Sequence, residues 1–167
     1  QLASVDRNGV TAESYTYDPN GNRIAATVGG SSVTATYDDQ DRLLAYGSAT
    51  FTHSASGHRI TKTVAGGATS YAHDAAGNLL AVNSAGGMSV AYALDPGMRR
   101  VARDVGGAPA ERFLYSGSRP IAQLDAGGVI VNRFVYAGGT APAYLMRGGI
   151  AHRLVTDHVG SVRLVVN

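Results

Sequence analysis

The residues of this chain whose types and spacing could do chemistry fall into four sets. His53 and His73 lie 20 residues apart, at corresponding places in a repeated pattern, so two imidazoles could stack and converge on a transition metal. A histidine pair without a carboxylate in phase is a weak metal site; the simpler expectation is that each ring replaces a tyrosine and packs as an amphipathic side chain. Asp157, His158 and Ser161 have the residue types of a nucleophilic triad. On a strand, however, Asp157 and His158 point to opposite faces and no nucleophile elbow is present, so turn and strand-end roles are expected. Asp18, Asp38, Asp74 and Asp95 recur at one place in the repeat. A catalytic carboxylate need occur only once, whereas an Asp that bonds turn backbone is wanted at every turn. The glycine pairs are turns too, since none follows a strand and opens a helix as a phosphate cradle must. The sequence therefore assigns no catalytic, cofactor-binding or metal-binding residue, and no enzyme activity.

Binding has better candidates. Tyrosines in rows, such as Tyr15, Tyr71 and Tyr92, can stack on sugar rings or a cell-surface protein. The competing and stronger reading is that the rings stack on one another and fill the concave face of a sheet. Arg112, Arg133 and Arg153 form an arginine row with Leu114, Val135 and Val155 between them. Such a row is most often a solvated face; here its apolar residues also admit a covering segment or partner.

The elements that must position these residues follow from a repeat. Tyr15-Thr16-Tyr17-Asp18-Pro19-Asn20-Gly21-Asn22-Arg23-Ile24 reads as strand, tight turn and return strand, with Pro presetting φ and Asn or Gly tolerating positive φ. Taking Tyr17 as a phase marker, the matching positions are Tyr37, His53, His73, Leu94, Tyr115, Tyr136 and Thr156, in steps of 20, 16, 20, 21, 21, 21 and 20 residues. Two residues upstream runs a second ladder: Tyr15, Ala35, Phe51, Tyr71, Tyr92, Phe113, Phe134 and Leu154. Residues two apart share a strand face, and the small or polar residues between them (Thr16, Thr36, Thr52, Ala72, Ala93) complete a period-2 alternation.

Four residues past the marker come Gly21, Asp41, Gly57 and Gly77, with Gly97 displaced by one, and Ile24, Leu44, Ile60, Leu80 and Val101 are expected to begin the return strands. A second turn is expected at Gly29-Gly30, Gly66-Gly67, Gly86-Gly87, Gly106-Gly107 and Gly127-Gly128. The stretches Tyr115–Ile121 and Thr156–Arg163 read as departing from the glycine rule. The fold expected is all-β with almost no helix: a solenoid of about eight successive β-hairpins forming a curved antiparallel sheet. Two sequence styles, 1–107 and 108–167, meet near Gly106-Gly107 within one continuous solenoid.

Composition narrows the partners. The chain of 167 residues carries a formal net charge of +2 with no basic cluster larger than Arg99-Arg100, which argues against nucleic acid. Leu, Ile and Val are scattered, never approaching the roughly 18 apolar residues that span a bilayer, so no membrane insertion is expected. Cysteine is absent, which removes disulfides and thiolate metal sites. No targeting signal is visible, and a start at Gln1 rather than Met reads as a processed or excised piece.

Five segments carry a family likeness. Tyr17-Asp18 through Gly21-Asn22-Arg23, Tyr37-Asp38 through Arg42-Leu43 and His73-Asp74 through Gly77-Asn78-Leu79 resemble the tyrosine–aspartate (YD) repeat. Phe113-Leu114-Tyr115 through Arg119-Pro120-Ile121-Ala122-Gln123-Leu124-Asp125 is similar to the Rhs repeat, and Thr156 through Val165 is similar to the start of the Rhs-associated core. The resemblance to Rhs/YD proteins, among them insecticidal Tc toxin subunits, bacterial polymorphic toxins and teneurins, implies a spiral hollow shell of β-hairpins. In the bacterial toxins the shell encloses a C-terminal toxic domain, freed by a self-cleavage motif that does not occur in these residues. The implied role is a structural shell segment, secreted or cell-surface as part of a bacterial toxin or effector, whose partners are the rest of the parent shell and a toxin cargo. Because solenoid units need capping and a partial turn leaves two unpaired strand edges, the chain is also expected to associate with itself or with the remainder of its parent. A carbohydrate- or cell-surface-protein-binding module is the alternative.

Size limits that role. About sixteen strands at ~4.8 Å make roughly 75 Å of sheet, whereas wrapping a 100-residue cargo of radius of gyration near 13 Å needs a circumference on the order of 140–155 Å. The chain is expected to be a wall segment, about half a turn.

Overall fold

Short alternating runs punctuated by Gly, Asn and Asp favour strands over helices, and the computed structural model, which describes residues 1–167, contains strands and turns only. No helix is long and apolar enough to cross a membrane. The chain divides into two compact units, Gln1–Gly87 and Met88–Asn167. The first holds β1 (Ser4–Arg7), β2 (Val10–Tyr17), β3 (Arg23–Val28), β4 (Ser31–Tyr37), β5 (Leu43–Tyr46), β6 (Ala49–His53), β7 (Arg59–Val64), β8 (Gly67–His73) and β9 (Leu79–Ser84). The second holds β10 (Ser89–Leu94), β11 (Arg100–Val105), β12 (Ala108–Ser116), β13 (Arg119–Leu124), β14 (Ile130–Val135), β15 (Tyr144–Arg147), β16 (Ile150–Thr156) and β17 (Val162–Val166). Within each unit every strand pairs antiparallel with the next.

The alternation written in the sequence sets the faces. Tyr15, Ala35, Phe51 and Tyr71 in the first unit, and Tyr92, Phe113, Phe134 and Leu154 in the second, are buried or half-buried. Their neighbours Thr16, Thr36, Thr52, Ala72, Ala93, Leu114, Val135 and Val155 are exposed. Burial is shallow. The buried apolar residues are Ala26, Ala35, Ala49 and Phe51 in the first unit and Val90, Ala102 and Ala122 in the second, and no large side chain is fully enclosed. Regular hydrogen bonding and turn chemistry must therefore carry much of the specification.

Every marker residue that is followed by an Asp, Ser54 or short glycine turn stands at a break in register. Tyr17 pairs with Arg23 while Thr16 pairs with Ala25, so Ile24 is an extra, unpaired residue. Leu44, Ile60 and Leu80 are its equivalents in the first unit, and Val101, Ile121 and Arg163 in the second. This corrects the expectation that Ile24, Leu44, Ile60, Leu80 and Val101 begin the return strands. Each return strand starts one residue earlier, and these residues form β-bulges, which bend and twist a strand locally.

The turns are of two kinds. In one kind, at Gly29-Gly30, Gly106-Gly107 and Gly148-Gly149, both central residues have positive φ, 55° and 81° at Gly29 and Gly30, the mirror-image geometry that matches strand twist. Two expected diglycine turns differ: the β7–β8 turn is centred on Ala65 and Gly66, with Gly67 already paired to Val64, and at Gly86-Gly87 only Gly87 has positive φ, its N–H bonding the Ser84 carbonyl. In the other kind, the N–H of the third residue after an Asp bonds that Asp's carbonyl, and the Asp N–H bonds the carbonyl four residues on, as at Asp18, Asp38, Asp74, Asp95, Asp125 and Asp157. Three further sequence expectations change here. The residue with positive φ after Asp95 is Met98 (59°), in phase with the repeat, and not Gly97. Gly127-Gly128 belongs to an Asp125 turn rather than to a diglycine hairpin. Thr156–Arg163 keeps the glycine rule, because Gly160 has φ 86° and bonds the carbonyl of Asp157. The change of sequence style at Gly106-Gly107 falls in the β11–β12 turn, inside the second unit.

Candidate functional site

The aspartates are consumed by their own turns. Asp38 Oδ1 accepts the N–H groups of Gln40 and Arg42 at 3.0 Å each, and Oδ2 accepts Arg42 Nε at 2.6 Å. Asp18 holds Asn22 through its backbone N–H (2.8 Å) and Nδ2 (3.0 Å), and Asp74 holds Asn78 in the same way at 2.9 Å. Asp95 grips Arg99, whose backbone N–H and Nε donate at 3.0 and 2.7 Å. These bonds favour the ionised form. The side chains of Asn22, Asn78 and Arg99 are the leading cause holding Asp18, Asp74 and Asp95 below the usual carboxylate range, and the Arg42 backbone N–H is the leading cause at Asp38.

Asp157 behaves alike. Its carboxylate accepts N–H groups from Val159 and Ser161 and Nε of Arg163 at 2.8 Å, and it is lowered chiefly by the Ser161 bond. His158 is exposed and makes no hydrogen bond with Asp157 or Ser161, so the triad residue types form a turn.

The marker tyrosines stitch neighbouring strands. Tyr37 Oη donates to the carbonyl of Arg23 at 3.2 Å, Tyr115 to that of Arg100 at 3.0 Å and Tyr136 to that of Pro120 at 2.9 Å. Each acceptor is the residue just before a bulge residue (Ile24, Val101, Ile121), so each hydroxyl satisfies a carbonyl where the ladder is disturbed. The ladder rings two residues upstream are capped by guanidinium groups: Arg100 lies 4.2 Å over Tyr92, Arg59 4.8 Å over Phe51 and Arg23 5.5 Å over Tyr15. Two marker rings are capped as well, Tyr115 by Arg99 at 5.0 Å and Tyr136 by Arg119 at 5.1 Å.

His53 and His73 do not stack on each other. His73 stacks on His58, with ring centroids 5.2 Å apart and planes at 22°. Strand β7 separates β6 from β8, and the β6–β7 turn carries His58 over Gly77, where a Cβ would lie only 2.5 Å from His58 Cε1. His53 Nδ1 is buried without a partner. No group of three or more His, Asp or Glu side chains converges as metal ligands.

The arginine row is a staircase. Arg133 is level with Leu114 through Ala122, and Arg153 is level with Val135 through Tyr144. Arginine and apolar side chains therefore interdigitate across the strands. Arg112 turns back to the backbone, donating to the carbonyls of Glu111 (2.8 Å) and Arg103 (3.3 Å).

One constellation gave no periodic signal in the sequence. Five side chains on successive strands β11 to β15 form a continuous polar chain on the ladder face. Arg103 Nε donates to Glu111 at 2.9 Å and Gln123 Nε2 donates to Glu111 at 3.1 Å. Asn132 Nδ2 donates to Gln123 Oε1 at 2.5 Å, and Arg147 Nε donates to Asn132 Oδ1 at 2.8 Å. Asn132 is 5% exposed, a buried amide with both ends satisfied. The clue was available only pairwise, since these residues sit two from a ladder residue or directly across from one that does. The chain joins strands; it presents no free nucleophile.

A family model described as Teneurin YD-shell matches residues 1–167. No curated protein sequence matches the chain. Among solved structures, the crystal structure of TcdB2-TccC3-TEV is similar with a TM-score of 0.48 at 11% identity, covering 94% of this chain and 12% of that one. TcdB2-TccC3 without its hypervariable C-terminal region gives 0.48 at 12% identity, over 93% of this chain and 12% of that one. The Photorhabdus luminescens Tc holotoxin pore gives 0.37 at 12% identity, over 92% and 9%. The chain spans roughly an eighth or less of the length of these proteins.

Proposed function

The chain belongs to the teneurin YD-shell family, and from that premise we propose that it is a wall segment of a shell that encloses or displays a C-terminal toxin cargo, without intrinsic catalysis. Its partners in this reading are the remainder of the parent shell and the cargo, and it acts outside the cell that makes it. The observation that carries the reading is where the repeated polar groups point. Aspartates bond their own turns and tyrosine hydroxyls bond the neighbouring strand. Groups so used build a surface rather than a site.

The test is protease protection of the full-length parent. The cargo region should resist digestion while the hairpin segment is intact and become sensitive when the segment is unfolded by substitution of Asn132 and Tyr136. Digestion of the cargo at the same rate with and without the segment would sink the enclosure reading. A glycan array on the same protein addresses the alternative: binding that is lost when Tyr15, Tyr71 and Tyr92 become alanine would favour recognition over enclosure.

A further inference from the structure

The connection between β14 and β15, Tyr136–Ala143, is the one that departs most from the two turn types. Gly138 takes φ 87°, Ala143 N–H bonds the Val135 carbonyl, and no backbone hydrogen bond ties residues 138–142 to the ladder. Opposite it stands the β16–β17 turn. Between them lies a cleft of about 600 Å³ whose lining includes Thr140, Tyr144, Arg153, Thr156 and His158. That volume lies in the usual range for small-ligand sites.

The charge of the cleft is unbalanced. The ion pairs of the second unit engage Arg99, Arg103, Arg112 and Arg163, and Arg153 is in none of them. The single carboxylate in the lining, Asp157, has both oxygens occupied by its own turn and by Arg163. Arg153 pairs directly across the ladder with Tyr144, a residue 42% exposed. A free guanidinium beside an exposed phenol, with unpaired loop N–H groups nearby, matches the planar, bidentate geometry of a carboxylate.

We propose that this cleft is a carboxylate-binding site, anchored by Arg153, for a peptide segment that presents either an acidic side chain or a free C-terminus. The inference concerns the second unit alone and does not depend on what the parent encloses.

The experiment titrates the 167-residue chain with three peptides, following backbone amide shifts by NMR. The probes are acetyl-Ala-Ala-Ala-Asp-amide, acetyl-Ala-Ala-Ala-Ala with a free carboxyl terminus, and the neutral acetyl-Ala-Ala-Ala-Asn-amide. Saturable shifts at Gly139, Ala141 and Gly160 are expected with one or both acidic peptides and not with the neutral one; which acidic peptide binds identifies the source of the carboxylate. Arg153→Gln should weaken binding roughly 10- to 100-fold, the range for a lost hydrogen bond to a charged group. Arg153 is exposed, so amide shifts outside the cleft should stay in place, and Arg153→Lys should bind with intermediate strength. Arg133→Gln, which removes another unpaired guanidinium outside the cleft, should leave binding unchanged. Equal binding of the neutral peptide, no saturable shift with either acid, or equal loss in the Arg133 and Arg153 variants would overturn the proposal.

Discussion

The phenol of Tyr136 donates its hydrogen bond at 2.9 Å to the carbonyl of Pro120, the residue immediately before the bulge at Ile121. The same relation links Tyr37 to Arg23 and Tyr115 to Arg100. It gives the marker position a reason for tyrosine over phenylalanine. The ring covers one strand and the hydroxyl repairs the next, and burial raises the Tyr136 phenol above its ordinary range.

Tyr136→Phe should therefore cost about 1 kcal/mol, since the carbonyl loses its partner while the ring packing is kept. Urea denaturation followed by circular dichroism measures this. An unchanged midpoint would mean that water replaces the hydroxyl without penalty.

Acid should loosen the turns. The carboxylates of Asp18, Asp38, Asp74, Asp95 and Asp157 are held below their usual range in the folded chain. A depressed folded value means that the stabilisation is fully present above the unfolded carboxylate value of about 3.9 and is lost as pH falls below it, through the folded values. Stability should thus hold down to about pH 4 and fall steeply beneath. Asp74→Asn should flatten that dependence, as denaturation series at pH 6, 4 and 3 would reveal.

Met98 occupies left-handed backbone at φ 59° with an exposed side chain. Met98→Gly should stabilise the chain by about 0.5–1 kcal/mol, the relief of left-handed strain less the added freedom of glycine when unfolded. Gly97→Ala, at a position without positive φ, should bring no such gain. Thermal unfolding of the two variants side by side separates them.

Breaking the polar chain should be costlier than breaking any turn. Asn132→Leu leaves Gln123 and Arg147 without their shared partner in a half-buried setting, which should cost about 1–3 kcal/mol. A double-mutant cycle with Arg147→Ala should give a coupling energy well above zero; additivity would show that the bonds are independent.

The hairpin period was legible because the Tyr-Thr-Tyr alternation and the Asp-x-x-Gly turn are local, and each is decided within about ten residues of sequence. The bulges were not. Ile24 looks like an ordinary start to a strand, and only the register of Tyr17 against Arg23 and Thr16 against Ala25 reveals the extra residue. The histidine pairing failed for a related reason. Phase in the repeat placed His53 with His73, but a strand lies between them and a turn residue, His58, reached the ring first. The polar chain from Arg103 to Arg147 crosses five strands with one residue from each, so no single stretch of sequence carries it. Met98 and Gly160 needed only strict counting from Leu94 and Thr156, where the eye follows glycine identity rather than phase.

The self-contained turns also bear on how such a chain comes to be folded. Each Asp turn closes with bonds inside five residues, and within each unit each strand meets only its sequence neighbours. Ordering one hairpin thus requires no distant segment, and loop-closure entropy stays small at every step. A chain emerging from a ribosome or a narrow channel can zip up from its leading end, adding one hairpin to the growing edge as each set of about 20 residues clears the exit. Folding direction would then be set by the order of emergence.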